Sequence, residues 1–395
     1  MRFSTSTLTI CLLLGGGAPA FAQEAPAPAP DPVSALVGRL DLEKYRATIK
    51  GLTQFGDRRQ GTDRNRAAVD WIGAQLESYG CPTERVKYLY DPPPTAGGGR
   101  GRGNTGLAVG GGRPRGNKIQ TGVNTDPMKQ PDERLRALNM QPATPGPREM
   151  VFCTKVGTTH PDEMYIVGAH MDGHGWGEAA NDDGSGTALV MELARIFSAP
   201  DVKTERTIRF ALWNNEETGS QGARAYIEQR QALQGKEDPA GSGTYPEPKW
   251  LGMIQHDIML FDHGMPLPDG TMRKEQRLEA DVNIEFQSSS KMAAESMKLA
   301  FVFEAANEKY ATDYPAAVGP HMTNTDSGPF IDIVPAISLR ENERGVHIGN
   351  GWDPQWHQPT DVYATYTDKD FRLGLNAAQT TLSAVAGLTG ATPAR

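Results

Sequence analysis

Five short segments each carry a metal-binding side chain, in the order His, Asp, Glu, Asp, His. They are His170 in VGAHMD, Asp182 in NDDGSG, Glu217 in WNNEETGS, Asp257 in MIQHDIM and His357 in QWHQPTD. Glu216 stands directly before Glu217 and supplies a further carboxylate. Imidazole nitrogen and carboxylate oxygen are ordinary zinc donors, and four of them complete one tetrahedral ion. Five suit two ions that share a carboxylate and leave an acid alongside for proton transfer. That chemistry activates water.

His170 lies two residues before Asp172, close enough for that carboxylate to accept the other ring N–H and fix the tautomer. Asp182 falls in Asn181-Asp182-Asp183-Gly184-Ser185-Gly186, a composition that also caps helices, so its weight comes from its place between His170 and the Glu pair. Adjacent carboxylates leave the backbone in different directions, so one of Glu216 and Glu217 can bind metal while the other faces water. Asp257 has rivals in His256, Asp262 and His263, and His357 has one in His347; spacing alone does not separate them.

These residues need a frame. From Met150 onward apolar runs alternate with helical patterns. Strands are expected at 149–155, 164–170, 207–213, 250–257, 282–288 and 335–340, with helices at 185–198, 219–233, 291–311 and 369–388. Before them come helices at 34–55 and 63–79 and a strand at 84–90. The segments at 164–170 and 207–213 are near-continuous apolar runs, as in strands covered on both faces. Such alternation predicts an α/β fold with a mostly parallel sheet flanked by helices. Ligands bind such sheets beyond the carboxyl ends of the strands. His170, Glu216–Glu217 and Asp257 all follow apolar runs and fall there.

The stretch 91–148 reads differently. It is rich in Gly and Pro, and from Arg100 to Lys118 it carries five basic residues and no acidic one. It cannot bury enough apolar surface to fold alone, and a solvated insertion between two strands is expected. The chain starts with Arg2, a short apolar run from Leu8 to Leu14 and a small-x-small site at Ala20-Phe21-Ala22, the pattern of a cleaved signal peptide over residues 1–22. Residues 23–32 form a Pro/Ala linker, and one domain spans 33–395. Secretion or a periplasmic location follows. Cys81 and Cys153 would survive cleavage and, flanking the strands at 84–90 and 149–155, are expected to pair in an oxidising compartment. A formal charge of −8 gives no reason to expect nucleic acid or an anionic membrane as partner. The oligomeric state is not legible.

In combination, GAHMD, NDDGSG, NNEETGSQGA, QHDIM and WHQPTD resemble the co-catalytic di-zinc aminopeptidases, the group that also holds glutamate carboxypeptidase and the glutaminyl cyclases. The resemblance implies a three-layer zinc-peptidase fold, two zincs per chain and peptide substrates. It assigns His170, Asp182, Glu217, Asp257 and His357 as metal ligands, with Asp182 bridging. Glu216 is the implied general base and Asp172 the implied orienting partner of His170. It also implies a cis bond between Asp182 and Asp183, and Asp326 in TDSGPF as a contact either to substrate or to the groups around the metal ligands. Trp356, with Trp176 and Trp352, could wall an apolar pocket. Asp172, Glu178, Asp183, Asp326 and Asp361, against the nearby cations Arg224, Arg340 and Arg344, suggest an acidic rim suited to a substrate's free ammonium group, hence an aminopeptidase. A carboxypeptidase, or a glutaminyl cyclase acting as an acyltransferase, is the alternative.

Overall fold

The computed structural model describes residues 31–91, 123–261, 282–311, 313–320, 325–341 and 353–394. The expected signal peptide, most of the linker, and Asp262, His263, Arg344, His347 and Trp352 lie outside them. Pro32–Arg395 forms one compact unit.

Helices α1 (Pro32–Val37), α2 (Leu42–Thr53) and α3 (Asp63–Ser78) lead into strand β1 (Thr83–Tyr90). The single helix expected at 34–55 is split, because the Asp41 carboxylate accepts from the N–H groups of Glu43 and Lys44 and starts α2 afresh. Helix α4 (Glu133–Asn139) precedes β2 (Gly146–Lys155) and β3 (His160–His170). Then follow α5 (Gly184–Phe197), β4 (Val202–Lys203), β5 (Arg206–Trp213), α6 (Gln221–Arg230) and β6 (Lys249–His256). The chain continues through β7 (Val282–Phe286), α7 (Ala293–Tyr310), β8 (Ala316–Gly319), β9 (Ala336–Glu341), α8 (Asp368–Thr389) and β10 (Thr392–Pro393). Strand β8 was not anticipated: AAVG is too short and too plain to stand out as a periodic run.

The main sheet runs β1-β2-β5-β3-β6-β9-β7-β8, and β4 pairs with β10 apart from it. Its centre is parallel, with β5, β3, β6 and β9 side by side. The outer pairs β1–β2, β2–β5 and β7–β9 are antiparallel, which makes the sheet mixed. Alternate residues feed two cores, following the period-2 geometry of strands. Val151, Cys153, Phe210 and Leu212 pack with α1, α2, α3, α5, α7 and α8. Met150, Phe152, Ala211 and Trp213 pack on the other face with Tyr226 of α6, Trp250 and Phe330. Cys81 and Cys153 are bonded, with their Cα atoms 5.6 Å apart, and the Thr83↔Cys153 register brings them together.

The segment expected to be solvated is not so in its second part. Residues 92–122 lie outside the described residues, but from Val123 the chain is ordered by polar rather than apolar contacts. Asn124, Gln130 and Asn139 are all buried. The Asn139 side chain donates to Gly177 O at 2.8 Å and accepts from Asp57 N at 3.1 Å. Gln130 Nε2 donates to Trp176 O at 2.8 Å and Pro359 O at 2.9 Å. A search for apolar periodicity cannot find a segment held this way.

Candidate metal centre

His170 is the last residue of β3. Its register partner on β5 is Trp213, and Ala169 faces His256 on β6, so three neighbouring parallel strands end level with one another. His170 Nδ1 lies 2.9 Å from the backbone carbonyl of Asp172. A carbonyl can only accept, so Nδ1 carries the proton and Nε2 presents a lone pair. The expected role of Asp172 changes accordingly. Its carboxylate is 3.9 Å from Nδ1 and instead accepts the Glu216 N–H at 3.0 Å. Asp172 thus orients His170 through its carbonyl and Glu216 through its side chain. Burial raises its pKa to about 6.

Two groups of donors converge. His170 Nε2 lies 3.2 Å from Asp182 Oδ1 and 3.6 Å from Asp257 Oδ1. His357 Nε2 lies 2.9 Å from Asp182 Oδ2 and 3.0 Å from Glu217 Oε2. Asp182 therefore turns one oxygen to each group. His174 joins the second group, with Nε2 2.8 Å from Glu217 Oε2. His174, Glu217 and His357 offer ligand atoms within 4.8 Å of one another, as do His170, Asp182 and Asp257. Sequence reasoning missed His174. Its only signal is a histidine between two glycines, four residues after His170 in HMDGHG.

The donors fit metal ions rather than each other. Asp182 Oδ2, His174 Nε2 and Asp257 Oδ1 are buried and make no hydrogen bond, although other donor atoms lie 2.8–3.6 Å away. Zinc bonds of ~2.0–2.2 Å in a tetrahedron place ligand atoms roughly 3.3 Å apart. The observed spacings straddle that value.

The surrounding chain fixes these atoms. The Asp182–Asp183 peptide is cis. Asp183 caps α5 by accepting from Gly186 N at 2.9 Å, and it also accepts from His170 N at 3.0 Å and Ile258 N at 3.2 Å. One carboxylate thus ties β3, α5 and the segment after β6 together. Asp361 accepts from Asn181 N at 2.9 Å and Asp182 N at 3.1 Å. Arg340 of β9 donates to Asp257 Oδ2 at 2.7 Å, leaving Oδ1 for the first group. Burial opposes ionisation of Asp257, but the Arg340 guanidinium together with His170 and Thr325 outweighs it, and the pKa falls below the usual carboxylate range. His256 is no rival: its Nδ1 lies 3.1 Å from Gly168 O and its Nε2 2.8 Å from Thr381 Oγ1 on α8. Burial lowers its pKa to about 4, so it stays neutral.

Glu216 and Glu217 share a single 3-10 turn after β5, entered through Asn215 at φ 67° and left through Gly219 at φ 107°. This tight turn separates the two carboxylates. Burial foremost pushes Glu216 well above the usual carboxylate range, with the negative Asp326, Glu217 and Asp257 adding to it and His170 opposing. Asp326 is fully buried and is raised likewise by burial, with Asp172 and Asp257 contributing. Trp356 stacks on His357 with ring centroids 3.9 Å apart.

The expected acidic rim is largely internal scaffolding. Asp183 and Asp361 hold backbone N–H groups, and Glu178 Oε2 accepts from Tyr363 N at 2.7 Å. Asp172 and Asp326 remain as the acids beside Glu216.

Carboxypeptidase Q of Xenopus laevis is 36% identical over 73 residues, 18% of this chain and 16% of that protein. The chain thus aligns with only a small part of such relatives. Over most of its length it resembles the aminopeptidase from Aneurinibacillus sp. strain AM-1, with TM-score 0.57, 18% identity and coverage of 92% of this chain and 97% of that one. It also resembles a zinc aminopeptidase from Bacillus subtilis, with TM-score 0.57, 14% identity and coverage of 88% and 95%. At these identities the likeness is one of fold. The model of peptidase family M28 matches residues 150–379, from β2 into α8 and across every donor described above. The chain belongs to peptidase family M28.

Proposed function

We propose that the protein is a zinc-dependent aminopeptidase, secreted or periplasmic, that removes N-terminal residues from peptides. The observation that carries the reading is the pair of donor groups sharing Asp182, with Glu216 beside them. His170, Asp182 and Asp257 would hold one zinc, and Asp182, Glu217 and His357 the other. Zinc bound there supplies a Lewis acid that acidifies water and polarises a carbonyl.

The chain's own residues do the rest. Glu216 takes the proton from the attacking water and delivers it to the leaving amine. Burial raises its pKa, which makes its carboxylate a stronger base for the first half of that task. Asp172 holds the Glu216 backbone in place.

Among the described residues, two cations near the centre, Arg340 and Arg58, are turned inward. Arg340 serves Asp257 and Glu285, and Arg58 donates to the carbonyls of Gly56, Met171, Glu178 and Ala179. Neither offers its guanidinium to a substrate carboxylate, which favours the amino end over the carboxyl end. The presence of His170 within the first group favours hydrolysis at two ions over a cyclase reading. The test compares leucyl-nitroanilide, its N-acetylated form and a peptide blocked only at its C-terminus. The first and third should be cleaved and the second spared. Cleavage of the acetylated substrate at the same rate, or loss of cleavage when only the C-terminus is blocked, would defeat the assignment.

A further inference from the structure

We infer that His174 is a fourth protein ligand of the ion held by Asp182, Glu217 and His357, so that this position is closed by protein while the His170–Asp182–Asp257 position stays open. The inference rests on the reading of the two donor groups as a two-metal centre and goes beyond it by making the two metals unequal.

The geometry is specific. Two imidazole nitrogens approach the same carboxylate oxygen: His174 Nε2 lies 2.8 Å from Glu217 Oε2 and His357 Nε2 lies 3.0 Å from it. A hydrogen bond from His174 to Glu217 would be the plain alternative. His174 Nε2 nevertheless makes none, despite that short distance and its burial. The ligand atoms of His174, Glu217 and His357 all lie within 4.8 Å of one another, so a single ion can serve all three. The two rings meet edge to face, with centroids 4.1 Å apart and planes at 88°. That arrangement lets both nitrogens reach one ion without the rings colliding.

The chain around His174 is built to hold it there. Gly175 has φ +96°, and a Cβ on it would lie 2.4 Å from the backbone carbon of His357. Only glycine allows the two loops so close. The next carbonyls, of Trp176 and Gly177, are fixed by the buried side chains of Gln130 and Asn139. Asn124 N donates to His357 O at 3.0 Å, tying the second loop to the same segment.

With Asp182 Oδ2, which lies 2.9 Å from His357 Nε2, the protein donors number four, the count that fills a tetrahedral ion. A tetrahedral site filled by protein is a structural one, whereas three protein donors leave a position for water or substrate. The open position then belongs to the His170 group. Glu216 is tied to that side through Asp172, which stands two residues after His170 and accepts the Glu216 N–H on its carboxylate at 3.0 Å. The loop-borne ion shapes the site and the strand-end ion meets the substrate.

The test is zinc titration of metal-free full-length protein against a competing chelator, with wild type, His174→Ala and His174→Asp. Wild type should bind two zincs. His174→Ala should keep one affinity unchanged and weaken the other by more than the ~10–100-fold that removal of an outer-shell partner costs. Added imidazole should restore the weakened site, and His174→Asp should fall between wild type and His174→Ala. Cobalt loaded at that site should give the intense visible band of a four-coordinate ion in wild type and lose it in His174→Ala. Unchanged affinity at both sites, or equal weakening of both without imidazole rescue, would overturn the assignment of His174. Wild type binding a single zinc would overturn the two-metal reading itself, and with it this proposal. Melting of the metal-free variants monitors the fold, and His174→Asp keeps the question answerable should His174→Ala not fold.

Discussion

The two halves of the metal centre are built in opposite ways. His170 and Asp257 sit at the ends of β3 and β6, two adjacent parallel strands buried on both faces. Their positions follow from sheet register, and Arg340 on β9 adds one ion pair. His174 and His357 sit on loops, at residues with no regular neighbours to place them. There the work falls to single hydrogen bonds from Asn124, Gln130 and Asn139 to backbone carbonyls. One half is positioned by burial and is redundant. The other is positioned by a few polar contacts, each of which matters separately. Asp182 belongs to both and transmits any disturbance between them.

The largest expected effect concerns neither half but the acid between them. Glu216→Gln should lower kcat by ~10²–10⁴-fold, the usual contribution of a positioned acid–base group. Metal content and melting temperature should hold, because Glu216 donates to neither group. Loss of metal, or retention of more than half the activity, would show that Glu216 and Glu217 have been assigned the wrong way round.

Within the strand-end half, Arg340→Met should destabilise by ~3–5 kcal/mol, because it strips the partner from a buried carboxylate. Denaturation of the metal-free protein measures this. Bound zinc should recover much of the loss, since a cation beside Asp257 replaces the missing charge. An unchanged midpoint would mean that Asp257 is not held by Arg340.

The disulfide staples the frame away from both halves. Replacing Cys81 and Cys153 by serine should remove up to ~4 kcal/mol on the chain-entropy account of a loop this long, while the ratio of the two zinc affinities stays as in wild type. A change in that ratio would mean that β2 helps place the donors.

Gln130→Met sharpens the contrast from the other side. It leaves two carbonyls, of Trp176 and Pro359, without their donor, at ~1–3 kcal/mol for such unsatisfied groups. Thermal melting should show a modest loss. The zinc affinity of the His174–His357 site should fall while that of the His170 site stays. Equal loss at both would erase the distinction between the halves.

The same contrast explains what could be read from the amino-acid sequence. The strands leading to His170, Glu216–Glu217 and Asp257 are mostly apolar over their later residues, so the ligands stand out at their ends, and the sheet follows from the alternation with helices. Asp182 and His357 needed the whole set of motifs to be recognised, since each by itself reads as a turn or loop residue. His174 left no such trace, because its position depends on side chains from residues 124–139. That stretch is Pro-interrupted and polar, so it read as solvated, whereas its buried amides make it part of the site. Asp183 and Asp361 were visible as acids but not as clamps, because a carboxylate's partners are set by tertiary contacts.

The central claim is that two metal ions share Asp182, one on the sheet and one on the loops. Diffraction from zinc-loaded crystals, recorded on both sides of the zinc absorption edge, tests it most directly. Two anomalous peaks are expected per chain, one among His170, Asp182 and Asp257 and one among His174, Asp182, Glu217 and His357. A single peak, or two peaks with Asp182 bound to only one of them, would contradict the account.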